Sequence, residues 1–334
     1  MTVLLISLII LNVFILIFFD KISNLINLFD IPDYKRKIHS KKVSQIGGFI
    51  FLSNILIFLL YYLINKGSLN FGQFLTFKDF FIFNAFLFSF FLIGFFDDKF
   101  NLSSNIKLFL SFILIYFLVF FDNQILIKEL NFSFFKKNIN IENISYLFTI
   151  ICFLLFINAF NMFDGINLQS TTYASFLFLL FLVKGIFIEI SLVLLISLLF
   201  FGYLNYKNKC FMGDNGTLLI SFILSYLFVK SANVYKVFSA EEIFLIMLLP
   251  GLDLIRLASV RIMNRKHPFK GDRNHIHHIL LKAIGHYKTL LLLLLLLIIP
   301  NTLSLIYGGT FYFIIIVIFI YFFLIIFFNS YNKE

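Results

Sequence analysis

Residues 80–100 read FFIFNAFLFSFFLIGFFDDKF. The run from Phe80 to Phe96 is almost wholly apolar and stops abruptly at two adjacent acids, Asp97 and Asp98. A segment of this length and greasiness matches the roughly 30 Å of hydrocarbon that a membrane helix must cross. The whole chain has the same character, with 334 residues, 61% hydrophobic and 13% charged. A soluble domain of this size would wrap its core in charge, so that class is excluded. The fold class predicted is all-α: a polytopic integral membrane helix bundle.

Runs fit to span lie near 3–19, 46–64, 80–96, 106–121, 145–161, 168–184, 186–204, 217–229, 241–258, 287–307 and 310–328. That is about 11 transmembrane helices, or 10 if one of the short runs does not cross. The first run lacks a basic leader and a small-residue cleavage site, so it is expected to stay as a helix. Two cysteines, Cys152 and Cys210, support no disulfide framework. No internal repeat or linker divides the chain, which reads as a single domain, 1–334.

The formal charge of +10 suggests nucleic acid until its distribution is read. Lysine and arginine crowd one alternating set of loops, 20–45, 97–105, 205–216, 259–286 and the C-terminus, which the 158–168 turn joins, and they are densest in the first and the 259–286 loops. By the positive-inside rule these loops are cytoplasmic, with the N-terminus outside and the C-terminus inside. The excess therefore reports topology and attraction to anionic lipid, and no nucleic-acid partner is expected.

Five carboxylates, Asp97, Asp98, Asp164, Asp214 and Asp253, fall at the cytoplasmic ends of these runs. A charge at mid-bilayer costs about 2.5–3.5 kcal/mol even on the lenient insertion scale. Any one of them is accounted for as a helix end in water; five on one face point to a shared site. In NAFNMFDGIN (158–167), Asn158, Asn161 and Asp164 are three apart and share a helical stripe. Amide and carboxylate oxygens suit a hard divalent cation or a sugar hydroxyl, or else bonds to neighbouring helices. FMGDNGTLL (211–219) brackets Asp214 with glycines, as a close approach to metal or phosphate requires and as an ordinary turn also does. GDRNHIHHIL (271–280) sets His275, His277 and His278 beside Arg273, downstream of Arg261, Arg265, Lys266 and Lys270. No cysteine or carboxylate stands at a zinc-site spacing, so phosphate binding fits better than zinc; a solvated basic loop is the plain alternative. In DYKRKIHSKKVSQIGG (33–48), His39 lies among five lysines and arginines, a segment equally suited to lipid headgroups or to substrate.

Taken in order, RKIHSKKVSQIGG, DDKFNLSSNIK, NAFNMFDGIN, GDNGT and PFKGDRNHIHHIL resemble the motifs of the polyprenyl-phosphate N-acetylhexosamine-1-phosphate transferases. These belong to glycosyltransferase family 4, a superfamily that also holds the phospho-N-acetylmuramoyl-pentapeptide transferases. The similarity runs from about residue 30 to 280. HIHH preceded by PFKGDR resembles the branch that uses UDP-N-acetylglucosamine and related sugars. One departure stands out: where the family reads DG-x-DGL, this chain has Asn167 for the acid and Leu168 for the glycine. The exact sugar and the role of position 167 therefore stay open.

The resemblance implies transfer of N-acetylhexosamine 1-phosphate, N-acetylglucosamine first, from a UDP-sugar to undecaprenyl phosphate. Catalytic roles fall to Asp97, Asp98 and Asp164, with Asp97 or Asp98 deprotonating or orienting the lipid phosphate. Magnesium, with manganese as the alternative, would be held by Asp214 with Asn161. Substrate binding falls to Asn158, Asn161, Lys107, Arg261, Arg265, Arg273, His275, His277, His278 and His39. The implied setting is the cytoplasmic face of a bacterial inner membrane; a homodimer is allowed. Joining two anionic substrates explains why acids sit at the mouth of an apolar segment: they hold the cation that screens the phosphates. Two rivals remain, muramoyl-pentapeptide transfer and, from another class, transport of an anionic solute. Transport predicts polar groups near mid-membrane and related halves; a non-catalytic scaffold would lack the metal ligands.

Overall fold

Lipid offers no partners to backbone N–H and C=O groups, so apolar runs of this length close their hydrogen bonds within helices. The computed structural model describes residues 1–32, 41–64, 77–135, 138–266, 268 and 274–331. In chain order the elements are α1 (Thr2–Ile17), α2 (Phe19–Ile26), β1 (Phe29–Asp30), β2 (Val43–Ser44), α3 (Gly47–Ile64), α4 (Phe77–Phe100) and α5 (Ser104–Phe121). They continue as β3 (Glu129–Leu130), β4 (Ile139–Asn140), α6 (Ser145–Phe163), α7 (Gln169–Val183), α8 (Ile188–Tyr206) and α9 (Gly213–Asn233). The chain closes with α10 (Ala240–Met263), α11 (Ile276–Ile284), α12 (His286–Tyr307) and α13 (Thr310–Tyr331).

The chain is an all-α, multi-pass membrane protein. Among the described residues, 9 helices are long and apolar enough to cross a membrane, and 10 if α1 and α2, bent by 78° at Phe18, count as one span. The run at 168–184 became α7, whose 15 residues rise only about 22 Å at 1.5 Å each. Asp253 also differs from expectation. The sequence placed it near the end of a run, yet α10 continues ten residues beyond it to Met263. The helix can continue because a hydrogen-bonded neighbour on the same helix, Arg256, offsets the carboxylate.

The chain divides into two compact units, Met1–Leu114 with Ser170–Leu224, and Ile115–Gln169 with Ser225–Glu334. In the first, α1, α3 and α8 pack on one another. Asn12 and Asn54, both fully buried, exchange side-chain hydrogen bonds of 2.6 and 3.2 Å, which is how membrane helices join when lipid supplies no hydrophobic drive. β1 and β2 pair antiparallel, and Ser44 bridges to Cys210. This brings the segment before α3 beside the segment that leads into α9. In the second unit, α10 packs on α6, α12 and α13, and α11 packs on α12 and α13. A capping box of Ser239 and Glu242 starts α10. The buried Lys230 is matched by Asp122 at 3.7 Å, with the Tyr226 hydroxyl between them, since a buried charge persists only when paired.

Candidate active site

In the first unit, three acids and one lysine occupy helix ends. Asp97 and Asp98 lie in the last turn of α4, where the helix dipole disfavours anions, and Lys107 lies in the first turn of α5, where it disfavours cations. Each is offset by partners. Lys107 Nζ donates to Asp97 Oδ2 at 2.6 Å and to Asp214 Oδ2 at 3.0 Å, so one ammonium holds two carboxylates together.

Asp98 behaves differently from its neighbour. Its Oδ1 accepts from the backbone N of Asp214 at 2.8 Å, and its Oδ2 accepts from Asn215 N at 2.9 Å and Asn215 Nδ2 at 2.5 Å. Those backbone groups are orphan donors of the first turn of α9. Asp98 thus anchors the helix that carries Asp214. Asn215 extends the anchor: its Nδ2 also donates to Gln45 O, and its Oδ1 accepts from Gly48 N, both at 2.7 Å. Gly94 completes the joint, because a Cβ there would overlap the Asp214 backbone. Sequence reasoning missed Asn215 and Gly94; the only signal for Asn215 was its place between the two glycines of MGDNG.

The second unit gathers the other motifs. Asn158 and Asn161 are half-buried on α6, with Asn158 Nδ2 bonded to Leu154 O at 2.7 Å. Asp164 ends that helix, and Gly165 follows it against the ring of His277, where a Cβ would overlap the imidazole. The NAFNMFDG and HIHH motifs therefore meet. His277 is buried, and among the described residues its Nδ1 has no hydrogen-bond partner. Burial, with the neighbouring His278 and His275 adding to it, pushes this imidazole well below its usual pKa. His275 precedes α11, and its ring lies 5.3 Å from that of His277. Arg261 is buried and donates to Pro268 O at 2.7 Å, whereas Arg265 is exposed at a left-handed turn, φ 55°. Leu168 is left-handed too, φ 69°. This is the position where the resembling family carries glycine, the residue that adopts such a φ without steric cost.

His39 and Arg273 lie outside the described residues. Of the two residues assigned to metal, Asp214 belongs to the first unit and Asn161 to the second. Among the described residues no group of three or more His, Cys, Asp or Glu side chains is set to hold a metal ion. Magnesium demands less, since it takes one or two carboxylates and completes its shell with water and substrate phosphate. Asp97 and Asp214 share a cation already, and the Asp214 and Lys107 side chains are 26% and 28% exposed. Asp97 itself is buried; a pair of converging carboxylates of which Asp214 is open to substrate fits that ion.

Residues 80–232 match the family model of glycosyl transferase family 4. Along most of its length the chain is similar to proteins called undecaprenyl-phosphate alpha-N-acetylglucosaminyl 1-phosphate transferase. With that of Yersinia pestis it shares 26% identity over 276 residues, 79% of this chain and 72% of the relative. With that of Escherichia coli K12 it shares 26% over 295 residues, 84% and 76% of the two chains. With that of Thermotoga maritima it shares 27% over 267 residues, 78% and 75%.

Proposed function

We propose that the chain is a member of glycosyl transferase family 4, as its match over residues 80–232 and its similarity along most of its length support, and that it transfers N-acetylglucosamine 1-phosphate from UDP-N-acetylglucosamine to undecaprenyl phosphate. The lipid phosphate oxygen bonds to the β-phosphorus of the donor, the bond from that phosphorus to the bridging oxygen breaks, and UMP leaves. The product is undecaprenyl-diphospho-N-acetylglucosamine, which opens a cell-surface glycan pathway at the cytoplasmic face of a bacterial inner membrane.

The observation that carries this reading is the pairing of Asp97 and Asp214 on one ammonium, that of Lys107, at 2.6 and 3.0 Å. A pair of carboxylates gathered around one positive charge is the arrangement expected where phosphates are to be bound through a divalent cation. Asp97 and Asp214 would hold magnesium, or manganese in its place. When bound, the ion screens the substrate phosphates and polarises the transferring group. Asp97, with one oxygen on Lys107, also supplies the acceptor for a proton of the lipid phosphate. Lys107 keeps the two carboxylates close and adds positive charge to the site. Asp98 serves by anchoring α9. In the second unit, Asn158, Asn161, Asp164 and the three histidines supply donors and acceptors for the sugar nucleotide, and Arg261 and Arg265 supply positive charge.

The test incubates purified protein with undecaprenyl phosphate, magnesium and a panel of UDP-sugars, and identifies the lipid product by mass. Undecaprenyl-diphospho-N-acetylglucosamine is the expected product. A product only from UDP-N-acetylmuramoyl-pentapeptide would assign the other branch, and no lipid product with any donor would overturn the transferase reading.

A further inference from the structure

Asp253 belongs to none of the motifs, yet its carboxylate meets four hydrogen-bonding partners. Its Oδ2 meets Nδ1 of His275 at 2.8 Å. Its Oδ1 accepts from the Tyr321 hydroxyl at 2.9 Å, from Arg256 at 2.8 Å and from the backbone N of Ile276 at 3.1 Å. Arg256 also reaches Tyr321 Oη at 2.7 Å and Asn274 O at 2.6 Å. The carboxylate is 4% exposed, so it persists as an anion only through these donors.

The arrangement is directional. A carboxylate that accepts four donors has no proton to give, so the Nδ1 of His275 is the protonated ring nitrogen. The Ile276 N–H, an orphan donor at the start of α11, is held by the same carboxylate, which fixes the backbone of His275 as well as its ring. The His275 side chain makes no cap bond to its own helix, and among the described residues its Nε2 has no hydrogen-bond partner. We propose that Asp253 is a positioning residue: by accepting Nδ1–H of His275 it fixes that ring's tautomer and angle, leaving Nε2 to meet the diphosphate of the sugar nucleotide. The proposal rests on the transferase reading for the identity of the ligand; the tautomer itself does not.

Two measurements test it. The first is a double-mutant cycle on donor kcat/KM, with His275→Ala, Asp253→Asn and both together. Asp253→Asn should cost about ten- to hundredfold alone, because an amide can present either a donor or an acceptor to Nδ1. In the His275→Ala background it should cost less than about threefold, since the residue it acts through is gone. A purely structural acid would lose the same factor in both backgrounds, and that additivity would overturn the proposal. The second measurement uses histidine labelled with nitrogen-15 in the otherwise unaltered protein, the His275 signal being the one lost in His275→Ala. A protonated Nδ1 is expected; a bare Nδ1 would overturn the proposal whether or not Asp253→Asn folds. If the unaltered protein forms no lipid product, the transferase reading fails, while the nitrogen spectrum still decides the tautomer.

Discussion

Replacing Asp98 by Asn and Asp97 by Asn makes the same chemical change at adjacent residues, but the structure predicts different consequences. Asp98 receives three donors, Asp214 N, Asn215 N and Asn215 Nδ2. An asparagine has one acceptor oxygen, so its amide NH2 must face at least one of those N–H groups. Leaving one donor unsatisfied costs about 1–3 kcal/mol, and turning the other two bonds from charge-assisted to neutral costs roughly 1 kcal/mol each. The sum is about 3–5 kcal/mol, which at roughly 2–4 °C per kcal/mol lowers the apparent melting temperature by on the order of 10 °C. Asp97 instead gives one oxygen to Lys107, which keeps its bond to Asp214. An asparagine keeps an oxygen that can accept from Lys107, so the bond turns from one between charges to one with a neutral acceptor at a cost of roughly 1 kcal/mol, while losing a positioned proton acceptor lowers the rate by about 10²–10⁴-fold and losing a carboxylate from the proposed magnesium site adds to that. The assay is the apparent melting temperature in detergent, measured beside turnover at saturating substrates. Equal melting temperatures for the two variants would refute the division between a chemical and an anchoring aspartate.

Three other outcomes follow from particular residues. Asp214→Asn should melt normally yet lose nearly all transfer at ordinary magnesium; near-normal turnover in the folded variant would remove it as a metal ligand. At the left-handed Leu168, stability should rank Gly equal to or above Leu and Leu above Val, since a β-branched side chain suffers most at φ 69°; a glycine variant less stable than the valine one would contradict the strain. The buried His277 stays neutral in the fold while the unfolded chain takes up a proton near the ordinary pKa of about 6.5. Below that pH the unfolded state binds more protons, so stability should fall with falling pH from about 6.5 downward. His277→Gln should flatten this dependence, and an unaltered slope would place the effect elsewhere.

Much of this was legible in the chain because the information is local. Apolar runs of about 18 residues specify helices regardless of their neighbours, and motifs such as DDKF and GDNG mark helix ends that carry acids. What stayed hidden depends on partners distant in sequence. Asp97 and Asp98 look alike as letters; only the bonds to Asp214 and Asn215, more than a hundred residues later, tell them apart. Asp253 finds His275 22 residues on and Tyr321 68 residues on, spacings that no periodicity announces. The 78° break at Phe18 falls inside a run that hydropathy alone reads as one straight span.

The central claim is that a sugar 1-phosphate moves, not a sugar, and the nucleotide left behind reports this directly. With UDP-N-acetylglucosamine, undecaprenyl phosphate and magnesium, breaking the diphosphate bond releases UMP, whereas breaking the glycosidic bond to phosphate releases UDP. The account predicts UMP in a one-to-one ratio with undecaprenyl-diphospho-N-acetylglucosamine, and none from Asp214→Asn. UDP as the nucleotide product would contradict it.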